Sequence, residues 1–136
     1  MKVLVDTPIW SFAFRSKNAV FAHHVEHLKA LIADQRVVII GAIRQEVLSG
    51  YSDFEKFETL KNQLQYFENA LIIDEDYVQA AEFYNLCRKK GMQGSHVDFL
   101  ICAVAVRLGV EIYTTDKDFL NYQQYLPIKL YRGVTQ

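Results

Sequence analysis

Between Val97 and Val106 the chain carries one charged residue, Asp98, and is otherwise apolar on every side. A helix with one apolar stripe packs against one neighbour, whereas a helix apolar all round must be covered on several faces. The segment from Ser95 to Leu108 therefore predicts a helix enclosed in a layered fold, with a carboxylate near its head.

Short β-branched or apolar runs recur at Val3 to Val5, Val37 to Ile40, Leu71 to Ile73, Ile112 to Thr115 and Ile128 to Tyr131, giving five candidate strands. Longer segments with helical periodicity lie between them. Phe21, Val25, Leu28 and Ile32 make one stripe, and Phe54, Phe57, Leu60, Leu64 and Phe67 another. Strands alternating with helices predict an α/β fold with a mostly parallel sheet and helices on both faces. Pro8 suits a first helical turn, Ser52 with Glu55 has the form of a capping box, and Gly91 and Gly109 suit helix ends. No linker, repeat or low-complexity tract interrupts the pattern, so the 136 residues, 51% of them hydrophobic, read as one domain with a real core.

The formal net charge is -1, which argues against a nucleic-acid binder held by a broad basic face. Any such contact has to be local or metal-assisted. Asp6 breaks the N-terminal apolar run too early for a signal-peptide core, and the longest uncharged run, Phe99 to Val106, is far short of the roughly 20 residues a bilayer demands. The expectation is a cytoplasmic protein with no membrane segment. Cys87 and Cys102 lack CxxC spacing and read as reduced thiols in or near the core.

In an open parallel sheet, ligands bind beyond the carboxyl ends of the strands, and acids stand at those points here. Asp6 ends the first strand, Asp116 follows the fourth, Glu46 lies a few residues past the second, and Asp98 opens the apolar helix. If the first and fourth strands are neighbours, Asp6 and Asp116 project from adjacent ends. Crowded carboxylates repel one another and are costly to desolvate, so they persist where a cation offsets their charge. Oxygen ligands without a Cys/His set suit Mg²⁺ or Mn²⁺ rather than zinc. With a phosphodiester bound, such a metal activates water for in-line attack.

Each acid also has a structural reading. Asp98 can complete a capping box with Ser95, Asp116 can cap the helix after its strand, Asp6 can cap the helix that Pro8 begins, and Glu46 can lie on a solvated helix face. It is their joint placement that favours function. Asp118 reads as an ordinary exposed residue in preference to a fifth acid at the rim. His23, His24 and His27 share a helix face, but no Glu follows the first His as a zincin requires, and no native metal site is expected there. Arg15, Lys17 and Arg44 are candidates to hold substrate phosphates near the acids. Trp10 and Phe12 read as core, while the Phe54 to Phe67 stripe suits core, dimer contact or partner groove alike.

Four segments together resemble the PIN-domain family, and within it the VapC-type toxins of toxin-antitoxin pairs: Val-Leu-Val-Asp6-Thr-Pro-Ile-Trp, Ile-Arg-Gln-Glu46-Val-Leu, Val-Asp98-Phe-Leu-Ile-Cys-Ala-Val-Ala and Tyr-Thr-Thr-Asp116-Lys-Asp-Phe. The resemblance spans nearly the whole chain. It implies a three-layer α/β/α sandwich over residues 1–136 with a five-stranded, mostly parallel sheet. It further implies Mg²⁺- or Mn²⁺-dependent cleavage of structured RNA by an endoribonuclease. Carried over by motif, Asp6 and Asp98 are the principal metal ligands, Glu46 and Asp116 complete the acidic pocket, and Thr7 and Thr115 are supporting hydroxyls. The family also implies a homodimer and a separately encoded antitoxin. The close spacing of Asp116 and Asp118 leaves open which of the two faces the metal.

Two other functions compete. A phosphotransfer protein of dehalogenase type requires Asp-x-Asp after the first strand, where this chain has Asp6-Thr-Pro; one of receiver type would have to phosphorylate Asp74. A catalytically silent binding module would use the acidic pocket to hold a basic partner peptide.

Overall fold

The computed structural model describes residues 1–15 and 19–133, so Lys17 lies outside the described residues. The chain order is β1 (Val3–Val5), α1 (Thr7–Arg15), a 3-10 turn (Ala19–Phe21), α2 (Ala22–Ala33), β2 (Val37–Val38), α3 (Gly41–Ser49), α4 (Phe54–Leu64), α5 (Asp74–Lys89), α6 (His96–Leu108), β3 (Glu111–Tyr113) and α7 (Asp118–Tyr122).

The sheet is parallel, in the order β2-β1-β3. Leu4 sits opposite Val38 on one side and Ile112 on the other. Val3, Leu4 and Val5 are fully buried, as a parallel strand is when helices cover both faces. This is the α/β architecture expected of the alternating sequence.

The sheet is narrower than the five strands expected. Among the described residues it has three, flanked by single bridges that pair Ile39 with Asn69 and Ile112 with Leu130. Leu71 to Ile73 is not a strand: Leu71 is 83% exposed and Ile73 already caps α5. A buried pair between Asp76 and Arg107 turns the chain there, with Arg107 also donating to the Leu71 carbonyl. On the other edge, Ile112 exchanges hydrogen bonds with Lys129 and Tyr131 only, so Ile128 to Tyr131 contributes one rung. Apolar β-branched character marks both stretches in sequence, but side-chain pairing elsewhere decides their backbone.

Helix ends largely follow local chemistry. Ser95 caps α6 by accepting from the Asp98 N–H, and Gly109 closes it in the left-handed conformation at φ 68°. The cap of α4 is Asp53 rather than the expected Ser52, its carboxylate accepting from the Lys56 N–H. α6 buries Phe99 and every residue from Ile101 to Ala105, which is the all-round packing its composition requires. No helix among the described residues is long and apolar enough to cross a membrane.

Candidate active site

β1 delivers Asp6 to the carboxyl end of the sheet, where its N–H donates to the Tyr113 carbonyl of β3 at 2.9 Å. The Asp6 carboxylate is 5% exposed. One oxygen accepts from the Thr7 N–H and the other from the Thr114 hydroxyl, both at 2.8 Å. Thr7 turns its own hydroxyl to Glu46 Oε1 at 2.7 Å, tying the start of α1 to the middle of α3.

Asp98 enters from the first turn of α6, and its Oδ2 accepts the Tyr122 hydroxyl at 2.8 Å. Ser95 caps the helix and, together with Tyr122, stands against the Asp98 carboxylate. Asp116 follows β3; its N–H donates to Thr114 and its Oδ1 accepts from the Asp118 N–H at 2.9 Å. Asp6, Thr7, Glu46, Ser49, Asp98 and Asp116 line one open cleft of about 500 Å³. The acids expected from the four separated segments thus meet in space.

One oxygen each from Asp98, Asp116 and Asp118 lie within 4.8 Å of one another. Asp118 is exposed, as its sequence reading held, yet it also belongs to this acidic group. The grouping and the cleft share Asp98 and Asp116. All donors are carboxylate oxygens, the set that hard divalent ions take.

Electrostatics point the same way. Burial, reinforced by the charges of Asp98 and Glu46, pushes Asp6 up to about 6 against the opposing hydrogen bonds from Thr114 and Thr7. Asp98 is likewise raised by burial and by Asp116, while Tyr122 and Ser95 hold it down. Burial and the hydrogen bond to Asp98 raise the Tyr122 phenol in turn, so it stays a donor. Among the described residues, the ion pairs Lys29–Glu26, Lys61–Glu58 and Arg107–Asp76 leave every cleft carboxylate without a basic partner.

A family model described as the PIN domain matches residues 3–124. The chain belongs to the PIN domain family. VapC ribonuclease Mb1587 of Mycobacterium bovis and Ribonuclease VapC11 of Mycobacterium tuberculosis are each 31% identical to it over 119 residues, 86% of this chain and 88% of theirs. Among solved structures, FitAcB from Neisseria gonorrhoeae superposes with a TM-score of 0.77 at 18% identity, over 96% of both chains. VapBC2 from Rickettsia felis, solved bound to a DNA fragment from its promoter, gives 0.71 at 17% identity over 96% of this chain and 98% of that one. These structures share the fold.

Within this PIN domain, two expected residues sit differently from their sequence reading. The hydroxyl on Asp6 is that of Thr114, not Thr115; successive residues of an extended chain point to opposite sides, and the register puts Thr114 inward. Arg44 is committed to structure: its guanidinium donates to Asn69, Leu64 and Phe67 oxygens, closing the end of α4. Arg15 lies over the Tyr51 ring at 4.4 Å, two residues beyond the cleft-lining Ser49. Sequence reasoning missed Tyr122, a buried tyrosine in a short helix, and Gly94. A Cβ on Gly94 would meet the Tyr122 hydroxyl at 2.2 Å, so the glycine makes room for the bond to Asp98.

Proposed function

We propose that this PIN domain is a metal-dependent endoribonuclease, the toxin of a toxin-antitoxin pair, which hydrolyses phosphodiester bonds in structured RNA. The observation that carries the reading is the meeting of Asp6, Glu46, Asp98 and Asp116 in one cleft with no basic counterion among the described residues. The two mycobacterial relatives named as VapC ribonucleases support the reaction class. The solved VapBC-1 from nontypeable Haemophilus influenzae shares the fold with a TM-score of 0.71 at 14% identity, and the antitoxin partner is proposed from the resemblance to VapC-type toxins.

Asp98, Asp116 and Asp6 would hold the ion, with Asp118 at the rim. Bound there, Mg²⁺ or Mn²⁺ supplies Lewis acidity, lowering the pKa of a water and offsetting charge on the leaving oxygen. Tyr122 and Thr114 fix the rotamers of Asp98 and Asp6 by each donating to one carboxylate oxygen. Glu46, exposed and held at Oε1 by Thr7, is placed to take the proton of the attacking water at Oε2. Arg15, whose guanidinium stands over Tyr51 and beside Gly50, next in sequence to the cleft-lining Ser49, is the candidate for an RNA phosphate. The functional form is a homodimer, and the antitoxin blocks the cleft with a basic side chain directed at the acids.

The purified chain should cleave a structured RNA such as tRNA with Mg²⁺ or Mn²⁺ and stop on addition of EDTA. Asp98→Asn keeps the volume and removes a ligand charge, so its loss should exceed the roughly 10–100-fold typical of changes one shell further out. A folded Asp98→Asn variant that cleaves like the parent overturns the mechanism. Light scattering checks the dimer, and co-purification with the product of an adjacent small reading frame checks the antitoxin.

A further inference from the structure

Thr114, whose hydroxyl holds Asp6, also lines a second polar cavity. It encloses about 300 Å³, and its walls include His23, His24, His27, Thr114, Tyr131 and Arg132. α2 is fastened at its start to the last residue of β3, the Tyr113 hydroxyl donating to the His24 carbonyl. Its first turns therefore stand at the carboxyl end of the sheet, the same end as the acidic cleft.

The cavity reverses the chemistry of the cleft. Among the described residues no acid lines it, while three histidines and one arginine do. The His23 and His24 rings lie 3.9 Å apart, and His27 Nδ1 is 3.4 Å from the Tyr131 hydroxyl. Tyr113, the remaining titratable group on this wall, spends its hydroxyl on the His24 carbonyl. His24 Nδ1 is buried and has no hydrogen-bond partner among the described residues. Burial keeps that atom off the cavity, so the polar groups offered to a ligand are those of His23, His27 and Arg132 and the second ring nitrogen of His24. Burial and the two neighbouring histidines hold the His24 ring in its neutral form. A neutral imidazole still offers one N–H donor, and the first turn of a helix favours an anion.

We infer that this cavity takes a phosphate of the RNA strand next to the one cleaved at the acids. The inference rests on the ribonuclease reading above. Thr114 joins the two sites: its hydroxyl holds Asp6 while its residue walls the histidine cavity. A strand laid across this end of the sheet presents successive phosphates first to carboxylates with their cation, then to imidazole and guanidinium donors. With a net charge of -1, the protein has no broad basic face, and a local anion pocket beside the cleft supplies the contact that such a surface would otherwise make.

The test uses the full chain with the structured RNA proposed as its substrate, a tRNA. Arg132→Ala and His23→Gln should each raise KM about five- to tenfold, as loss of one charge-assisted hydrogen bond does, with the loss falling on KM rather than kcat. The slope of log affinity against log salt should shrink by about one for Arg132→Ala. Lys89→Ala, which removes an exposed charge at the end of α5, serves as the control. If the parent cleaves RNA but KM and salt slope are unchanged in both pocket variants, the pocket is refuted and the ribonuclease reading stands. If the parent cleaves nothing, imidazole NMR with uridine 5′-monophosphate decides: shifts at His23, His24 and His27 that Arg132→Ala removes support an anion site, and their absence overturns it.

Discussion

Two aspartates are buried among the described residues, Asp76 at 2% exposure and Asp6 at 5%, and their surroundings are opposite. Asp76 receives two hydrogen bonds from Arg107, at 2.7 and 2.9 Å, and a third from the Ile73 N–H. Burial raises its carboxyl, but the Arg107 hydrogen bonds, the Ile73 N–H and the Arg107 charge together hold it below the ordinary value. Asp6 accepts only neutral donors, faces Asp98 and Glu46, and is pushed up to about 6. One buried carboxylate is completed by the chain itself and fastens α5 to α6. The other is left short of positive charge at the mouth of the sheet, the condition in which a carboxylate binds a cation.

The widest contrast is in activity. Asp6→Asn should abolish RNA cleavage with Mg²⁺ to within background, whereas Asp76→Asn should leave the per-molecule rate of the folded fraction near that of the parent. Comparable rates in the two variants would erase the distinction. Stability should move in opposite senses. Arg107→Met strands Asp76 and should lower Tm by about 5 °C, an effect discounted because the arginine is partly exposed. Asp6→Asn should raise the Tm of the metal-free protein at pH 7.5, by the equivalent of about 1–2 kcal/mol.

The pH dependence sharpens the same point. The folded-state value of Asp6, about 6, stands above its ordinary 3.8, so its contribution is fully present below 3.8 and is lost as pH rises through 6. Metal-free protein should therefore gain stability from this group on going from pH 7.5 to 5, and Asp6→Asn should flatten that gain. Asp76 acts in reverse, its contribution being lost as pH falls below the usual carboxylate range. Thermal melts of parent and both variants across this interval separate the two. The smallest effect belongs to Tyr122→Phe, which removes one hydroxyl from Asp98 and keeps the ring: Mn²⁺ affinity by titration calorimetry should fall roughly tenfold, with little change in Tm. Unchanged affinity would reduce Tyr122 to packing.

The sequence made the large features of this molecule readable where composition and period agree. The apolar segment around Phe99 to Ala105 announces an enclosed helix, and the β-branched Val3 to Val5 announces a buried strand with Asp6 at its end. The outer strands were over-read because Leu71 to Ile73 and Ile128 to Tyr131 have strand-like residues, while their backbone is set by contacts distant in sequence, such as Arg107 with Asp76. The same distance hides the supporting groups. Nothing near Tyr122 signals that its hydroxyl ends on a carboxylate 24 positions earlier, and only register distinguishes Thr114 from Thr115. Arg44 stands two residues before Glu46 and reads as a substrate contact, yet its partners lie 20–25 residues further on, at Leu64, Phe67 and Asn69.

β1 is the middle strand of the sheet, and Asp6 begins where it stops. Amides in such a position exchange with solvent only when the whole domain opens, unlike those of a surface helix or loop. The cleft therefore has no private route to disorder: its most buried acid is displaced only by the event that dismantles the core. Trp10, whose indole N–H donates to the Val5 carbonyl, provides a fluorescent witness one turn away. In a denaturant titration, loss of cation binding and the change in Trp10 emission share one midpoint, and a protease that nicks the native surface leaves both intact.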